Sequence, residues 1–210
     1  MNAIGIDTEW GRLRRAVVGR PDLAQLLVAE GVDVEAVAGV APIVIGRRTI
    51  PATPRPLGEV DGTYLEAGDV VRNGAQIYVG MSGLSSNMAG IDALEARLGP
   101  HYRVIPIALR SSVRHLEDVL ALPRPGLLVQ CPTLLIDGLP GALRDWERID
   151  LTPGEGARRA ADVMVIDEGR IVVAAEEVRL GDELRRRGLK VFPIALGGGL
   201  RSAHAALWRA

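Results

Sequence analysis

Cysteine is almost absent: the 210 residues hold one, Cys131. A lone thiol cannot close an internal disulfide, so stability must rest on packing and the expected compartment is the reducing cytoplasm. Cys131 ends a strand-like apolar run just before Pro132, and reads as a buried structural thiol. Lysine is just as scarce, Lys190 standing beside two dozen arginines. Those arginines alternate with acids, as Glu95 does with Arg97 and Glu183 with Arg185 to Arg187. No basic face gathers, so nucleic acid is not an expected partner and the arginine excess reads as coding bias. The Arg185 to Arg187 run suits the solvated last turn of a helix, where cations complement the dipole. Long hydrophobic runs are missing too, since Gly, Pro or charge breaks each apolar stretch at strand length. The first ten residues carry two acids and no apolar run. Neither a signal peptide nor a membrane span is expected.

What is present is ample apolar material, 48% of the residues. That is enough for one sizeable core, and a compact enzyme or binding domain over residues 1–210 is the expectation. The chain also repeats itself. Val104-Ile105-Pro106-Ile107-Ala108-Leu109 returns with one change as Val191-Phe192-Pro193-Ile194-Ala195-Leu196, which implies two copies of one unit. Ahead of the second copy the pattern predicts a strand at 162–167, a turn at Glu168-Gly169, a strand at 170–175, a helix at 176–187 and a stop at Gly188. Ahead of the first, residues 66–71, the Asn73-Gly74 turn, residues 76–80 and a helix over 87–98 follow the same order.

A looser copy runs from His115 through a strand at 127–131, a short helix at 142–147 and a strand at 149–151. Another opens the chain, with a strand at 13–19, Pro21 starting a helix that Gly31 ends, and a return strand at 32–37. Residues 42–56 form a stunted version without a helix. Four strand–strand–helix–strand units and one truncated unit, the second, are therefore predicted. Such units cannot bury their faces alone and close into a ring or stack, although composition would equally allow an ordinary doubly wound sheet.

Five segments carry a resemblance. Glu9-Trp10-Gly11-Arg12-Leu13 through Arg20-Pro21 forms an opening strand, and Leu65-Glu66-Ala67-Gly68-Asp69-Val70 an acid-x-x-Asp strand. Asn87 with Gly90 gives an Asn-x-x-Gly helix start, and His115-Leu116-Glu117 a His-x-acid motif. Leu196-Gly197-Gly198-Gly199-Leu200-Arg201 reads as a glycine strand ahead of a nucleophile position. In this order the chain resembles the guanidine-modifying superfamily of amidinotransferases, arginine deiminases and dimethylarginine dimethylaminohydrolases. The spacing from Glu66 to His115 is similar to that of amidinotransferases. The resemblance implies an α/β fold, the pentein-like, pseudo-symmetric five-bladed α/β propeller, and a small guanidino compound as ligand.

It also implies a chemistry. The guanidinium carbon is resonance-stabilised, so the family attacks it with a thiolate, moves protons with a histidine, and grips the planar N–H donors with carboxylates. The covalent amidino-thioether then passes to water or to an amine. Carried over, His115 would be the general acid/base, Glu66 would orient it or hold substrate, and Glu117 would bind guanidinium nitrogens. Asp69 would stand behind them, and Asp61 and Arg201 would contact substrate. No metal or other cofactor is implied, and a homo-oligomer is left open. Read without the resemblance, His115 is a surface histidine, Glu66 and Asp69 are solvated edge carboxylates, and Gly197 to Gly199 is a flexible turn.

The chain departs from the pattern in three places. Ser202 occupies the nucleophile position, and a serine hydroxyl gives almost no anion at neutral pH without a dedicated base. His204, two residues on, would point to the opposite side of a strand. Val40 stands where relatives carry a guanidinium-binding acid, and residues 82–87 lack the arginine that several relatives use for a substrate carboxylate. Three readings stay open: an enzyme whose cysteine has been replaced by serine, a natural member that binds a small molecule or a protein partner with little or no turnover, or a fold turned to acyl chemistry at Ser202.

Overall fold

Four of the five sheets among the described residues follow one pairing plan, in which a central strand has an antiparallel neighbour on one side and a parallel neighbour on the other. The computed structural model describes residues 8–18, 21–36, 43–45, 48–50, 52–56, 59, 61–195 and 204–209. The chain begins with β1 (Leu13–Val18), α1 (Pro21–Ala29) and β2 (Asp33–Ala36). A hairpin of β3 (Ile43–Ile45) and β4 (Arg48–Ile50) follows, and it is the stunted unit. The third sheet holds β5 (Val70–Asn73), β6 (Gln76–Met81) and, after α2 (Met88–Leu98), β7 (Arg103–Ala108). The fourth holds β8 (Leu120–Arg124), β9 (Leu127–Gln130) and β10 (Glu147–Asp150). After the single turn α3 (Pro153–Ala157) come β11 (Met164–Asp167), β12 (Arg170–Ala174), α4 (Val178–Arg186) and β13 (Lys190–Ile194), which form the fifth sheet.

The repeated hexapeptide explains itself in this frame. β7 and β13 are both outer strands, lying parallel to β6 and β12, and their prolines take equivalent places: Pro106 opposite Val79 and Pro193 opposite Val173. A proline cannot donate to a ladder, so an edge is where one is tolerated. The hairpins turn through glycine as the sequence suggests. Gly74 adopts φ 60° between Asn73 and Gln76, which pair with each other, a left-handed conformation that suits glycine.

β14 (His204–Arg209) pairs antiparallel with β1, with Val18 opposite His204 and Ala16 opposite Ala206. The first sheet therefore unites the two ends of the described chain. Side chains reinforce the seam between first and fifth sheets. Arg170 reaches Glu30 at 2.6 Å while holding Asp167 at 2.7 Å, and Lys190 lies 3.3 Å from Glu30. Leu13, Leu23 and Leu27 of the first unit pack with Met164, Ile166 and Val172 of the fifth.

Local differences from the sequence reading have physical causes. The predicted strand at 66–71 begins with a 3-10 turn, Ala67–Asp69, because Asp69 folds its N–H back to Glu66. The predicted helix at 142–147 is only the 3-10 turn Gly141–Leu143, since Pro140 and Gly141 are poor helix formers and Glu147, already in β10, pairs with Leu127 of β9. Among the described residues no helix is long and apolar enough to cross a membrane.

Candidate active site

Two short turns build the centre of the site. The N–H of Asp69 bonds to the carbonyl of Glu66 at 3.1 Å, and the N–H of Asp118 to the carbonyl of His115 at 3.2 Å. The first turn opens the third sheet and the second opens the fourth, so each projects its leading residue, Glu66 or His115, from the mouth of a sheet. They meet: His115 Nε2 lies 2.7 Å from Glu66 Oε2. Across the imidazole, Nδ1 is 3.9 Å from Glu117 Oε1. Arg114 adds a guanidinium, with Nη2 3.6 Å from Glu66 Oε2 and Nε 3.4 Å from His115 Nε2. The 2.7 Å contact is the stronger of the two at Nε2, so that nitrogen carries its proton toward Glu66 and cannot also accept from Arg114.

The residue types dictate this approach. Gly68 lies where a Cβ would stand 2.8 Å from Glu117 Oε1 and 2.9 Å from His115 Cγ. Any side chain there would press the His115 and Glu117 side chains out of this arrangement. Asp69, fully buried, is the fastener behind them. Its Oδ1 accepts the Leu116 N–H at 3.1 Å, and its Oδ2 accepts the Ser86 N–H at 3.2 Å, the Ser86 hydroxyl at 2.7 Å and the Ser85 hydroxyl. Burial pushes the Asp69 carboxyl above its ordinary value, against the pull of the two serine hydroxyls. Ser86 also accepts the Glu66 N–H at 3.0 Å, which ties the leading acid to the same fastener. Asn87 then caps α2 by accepting from Gly90 at 3.0 Å. Gly90 is required because a Cβ there would overlap the carbonyl oxygen of Tyr64.

One atom stands out chemically. Glu66 Oε1 is buried and takes no hydrogen bond from any described residue. A buried acceptor left bare costs about 1–3 kcal/mol, more when charged, so the site holds an acceptor awaiting a donor. His115, Glu117 and Asp118 also bring ligand-type atoms within 4.8 Å of one another. Both Asp118 oxygens are engaged, Oδ2 by the His115 N–H at 3.2 Å and Oδ1 by Arg159 Nε at 3.7 Å, so the trio is a protein-held cluster.

The sequence-derived candidates divide cleanly. Glu66, His115, Glu117 and Asp69 come together, and the bland readings fail: both acids are buried and the histidine is half-buried between carboxylates. Asp61 is exposed in the segment before Tyr64, whose hydroxyl bonds to the Asp61 carbonyl. Ser202, Arg201 and Val40 lie outside the described residues. Cys131 is buried, with its Sγ 3.7 Å from the Thr152 carbonyl and 2.6 Å from where a Cβ of Gly156 would be, as expected of a structural thiol. Sequence reasoning missed Ser85, Ser86, Arg114 and Asp118. A small-polar run ahead of a capped helix, and the Asp-Val pair shared by residues 69–70 and 118–119, were the available signals.

Solved structures share this architecture. An amidinotransferase of the saxitoxin biosynthetic pathway from Microseira wollei superposes with a TM-score of 0.83 over 99% of this chain and 98% of that one, at 18% identity. The chain has the fold of that amidinotransferase. A dimethylarginine dimethylaminohydrolase from Pseudomonas aeruginosa, solved as a cysteine-to-serine variant with citrulline, gives a TM-score of 0.74 over 92% of this chain and 98% of that one, at 18% identity. In sequence, a curated Streptomyces griseus relative assigned as inosamine-phosphate amidinotransferase 2 is 32% identical over 152 residues, 64% of this chain and 43% of the relative. The chain thus spans less than half the length of that relative. No family model matches it.

Proposed function

We propose that residues 1–210 form one domain, closed as a five-bladed α/β propeller with a truncated second blade, that binds a small guanidino or amidino compound and transfers or hydrolyses its amidino group. The observation that carries this reading is the bare Oε1 of Glu66, set beside a histidine that Glu66 and Glu117 flank. A guanidinium is planar, cationic and rich in N–H donors, so it supplies what that carboxylate lacks. The five sheets and the pairing of β14 with β1 support closure.

In this scheme Glu66 and Glu117 hold the guanidinium plane, and residue 202, its proton passed to His115, attacks the guanidinium carbon. The carbon–nitrogen bond to the departing amine breaks, and His115 delivers the proton that amine needs. The amidino group, now on residue 202, is then taken by water or by an acceptor amine whose proton His115 removes. Thiolate at position 202 would make both steps fast, whereas serine makes the first slow for want of an anion. The Pseudomonas aeruginosa structure with citrulline belongs to a cysteine-to-serine variant, which supports a serine-bearing member that still binds ligand. The proposed ligand is a small molecule, without nucleic acid or membrane, in a cytoplasmic setting.

The test compares the chain carrying Ser202 with Ser202→Cys. Both are given arginine, agmatine and other guanidino compounds, and ureido, urea and amine products are quantified. Binding by both forms with at least tenfold faster turnover by Ser202→Cys is expected, a difference of about 1.4 kcal/mol or more in the barrier. Acyl transfer by the Ser202 form, with no guanidine reactivity in either, would point to the acyl alternative. Absence of binding and reaction in both would reduce the chain to a partner-binding relative.

A further inference from the structure

The turn that presents Glu66 and His115 occurs a third time. Glu66-Ala67-Gly68-Asp69-Val70 and His115-Leu116-Glu117-Asp118-Val119 are matched by Arg159-Ala160-Ala161-Asp162-Val163 at the entrance to the fifth sheet. The same backbone bond closes it, Asp162 N–H to the Arg159 carbonyl at 2.9 Å. Each earlier aspartate also reaches forward to the next turn, though in different ways: Asp69 accepts the backbone N–H of Leu116 at 3.1 Å, and Asp118 pairs with the Arg159 side chain at 3.7 Å. Arg159 therefore holds the leading place in the fifth sheet that the proposed acid and base hold in the third and fourth. Its backbone differs from theirs, with φ 63° against −101° and −127°. Arginine is rarely left in that left-handed region without some constraint from its surroundings.

What Arg159 faces is a cavity of about 250 Å³ next to the His115 turn, lined also by Ser112, Arg114 and Asp118. The charged lining is two guanidiniums against one carboxylate, Asp118, which takes the His115 N–H on Oδ2 and stands 3.7 Å from Arg159 Nε on Oδ1. Arg114 also touches Glu66 and His115, so one wall of the cavity is shared with the proposed reaction centre. Paired guanidiniums in a recess grip an oxyanion with forked, charge-assisted hydrogen bonds.

We infer that Arg159 and Arg114 form an oxyanion subsite, so that a carboxylate or phosphate on one of the reactants lies in this cavity while its reacting nitrogen faces His115. The assignment rests on the guanidine-modifying reading for its orientation toward His115, but not for its ability to hold an anion. It gives the chain an anion anchor in a different place from residues 82–87, which carry no arginine.

The test titrates the 210-residue protein calorimetrically with inorganic phosphate, L-arginine and agmatine, the last being arginine without its carboxylate. The variants are Arg159→Gln, Arg159→Asn, whose side chain tolerates the left-handed backbone, and Arg114→Gln, with melting temperatures recorded for each. Phosphate uptake that falls about tenfold or more in the Arg159 variants is expected. If the anion belongs to the guanidine donor, arginine binds more tightly than agmatine, phosphate competes with arginine, and Arg159→Gln erases the preference without weakening agmatine. If it belongs to the acceptor, phosphate and agmatine bind together and arginine gains nothing. Arg159-dependent phosphate uptake with no guanidine binding would keep the oxyanion subsite and sink the guanidine-modifying reading. Phosphate uptake that is absent, or indifferent to Arg159 and Arg114 in folded variants, overturns the subsite.

Discussion

Asp69 Oδ1 holds the backbone N–H of Leu116 at 3.1 Å, fastening the residue next to His115 across 47 positions of chain. Asparagine at 69 would keep the shape but turn an N–H₂ group toward the donors Ser85, Ser86 or Leu116. We expect Asp69→Asn to lower stability by about 1–3 kcal/mol and to cut guanidine turnover in the Ser202→Cys background beyond what the lost stability explains. Urea denaturation and steady-state kinetics on the same samples check both. Unchanged kinetics would mean that His115 keeps its place without the fastener.

Gly68 offers a sharper probe of the dyad. An added methyl would press on Glu117 Oε1 and His115 Cγ at 2.8 and 2.9 Å, and both belong to side chains that can swing away. Gly68→Ala should therefore fold, losing no more than about 1–3 kcal/mol, while separating His115 from Glu66 and lowering kcat by about tenfold or more. The ring-proton chemical shifts of His115 should change. Wild-type shifts with wild-type activity would show that the approach of the turns is not needed.

Acid stability should depend on Glu155. Arg179 grips both its oxygens at 2.7 Å and Thr152 adds its N–H and hydroxyl. The arginine foremost holds the carboxyl down at about 2, against an ordinary 4.5. A lowered carboxylate stabilises the fold above the ordinary value and loses that contribution as pH falls through the lowered one. Melting temperature should thus fall between pH 4.5 and pH 2, with Glu155 contributing up to about 3 kcal/mol. Glu155→Gln should be less stable at pH 7 and less sensitive to acid across that window. A parallel pH profile for the two proteins would remove Glu155 from the account.

Truncation before Val18 should unfold the chain. β1 is the centre of its sheet, pairing with β14 and β2 at once, and it buries Leu13 and Ala16. Leu13 alone is worth about 1.5–3 kcal/mol, and the lost ladders add to a total stability that is only about 5–15 kcal/mol. An unchanged melting temperature would show that the first sheet does not close the fold.

Much of the fold was legible because its punctuation is local. Asn87 caps, Gly188 stops, Gly74 turns, and the two proline-bearing hexapeptides mark equivalent outer strands. Of the site, Glu66 and His115 were legible as parts of a spaced motif. Their burial was not, since it comes from partners 49 positions apart and from a glycine whose importance lies in what approaches it. Ser85 and Ser86 read as loop polarity until their common acceptor, Asp69, is seen. Arg159 was hidden among many arginines, and only its turn distinguishes it.

The thrice-used turn separates where a group stands from what it does. Position is fixed by the backbone bond that closes each turn and, in the first two, by the buried aspartate three residues on, whereas the leading side chain changes from acid to imidazole to guanidinium. Positions 66, 115 and 159 are therefore reprogrammable in a way that 69 and 118 are not. Exchanging the leading residue rewrites the reagent presented at the mouth of a sheet, while exchanging the aspartate dismantles the mount, so new reactivity on this scaffold should be sought at the first set of positions with the second left intact.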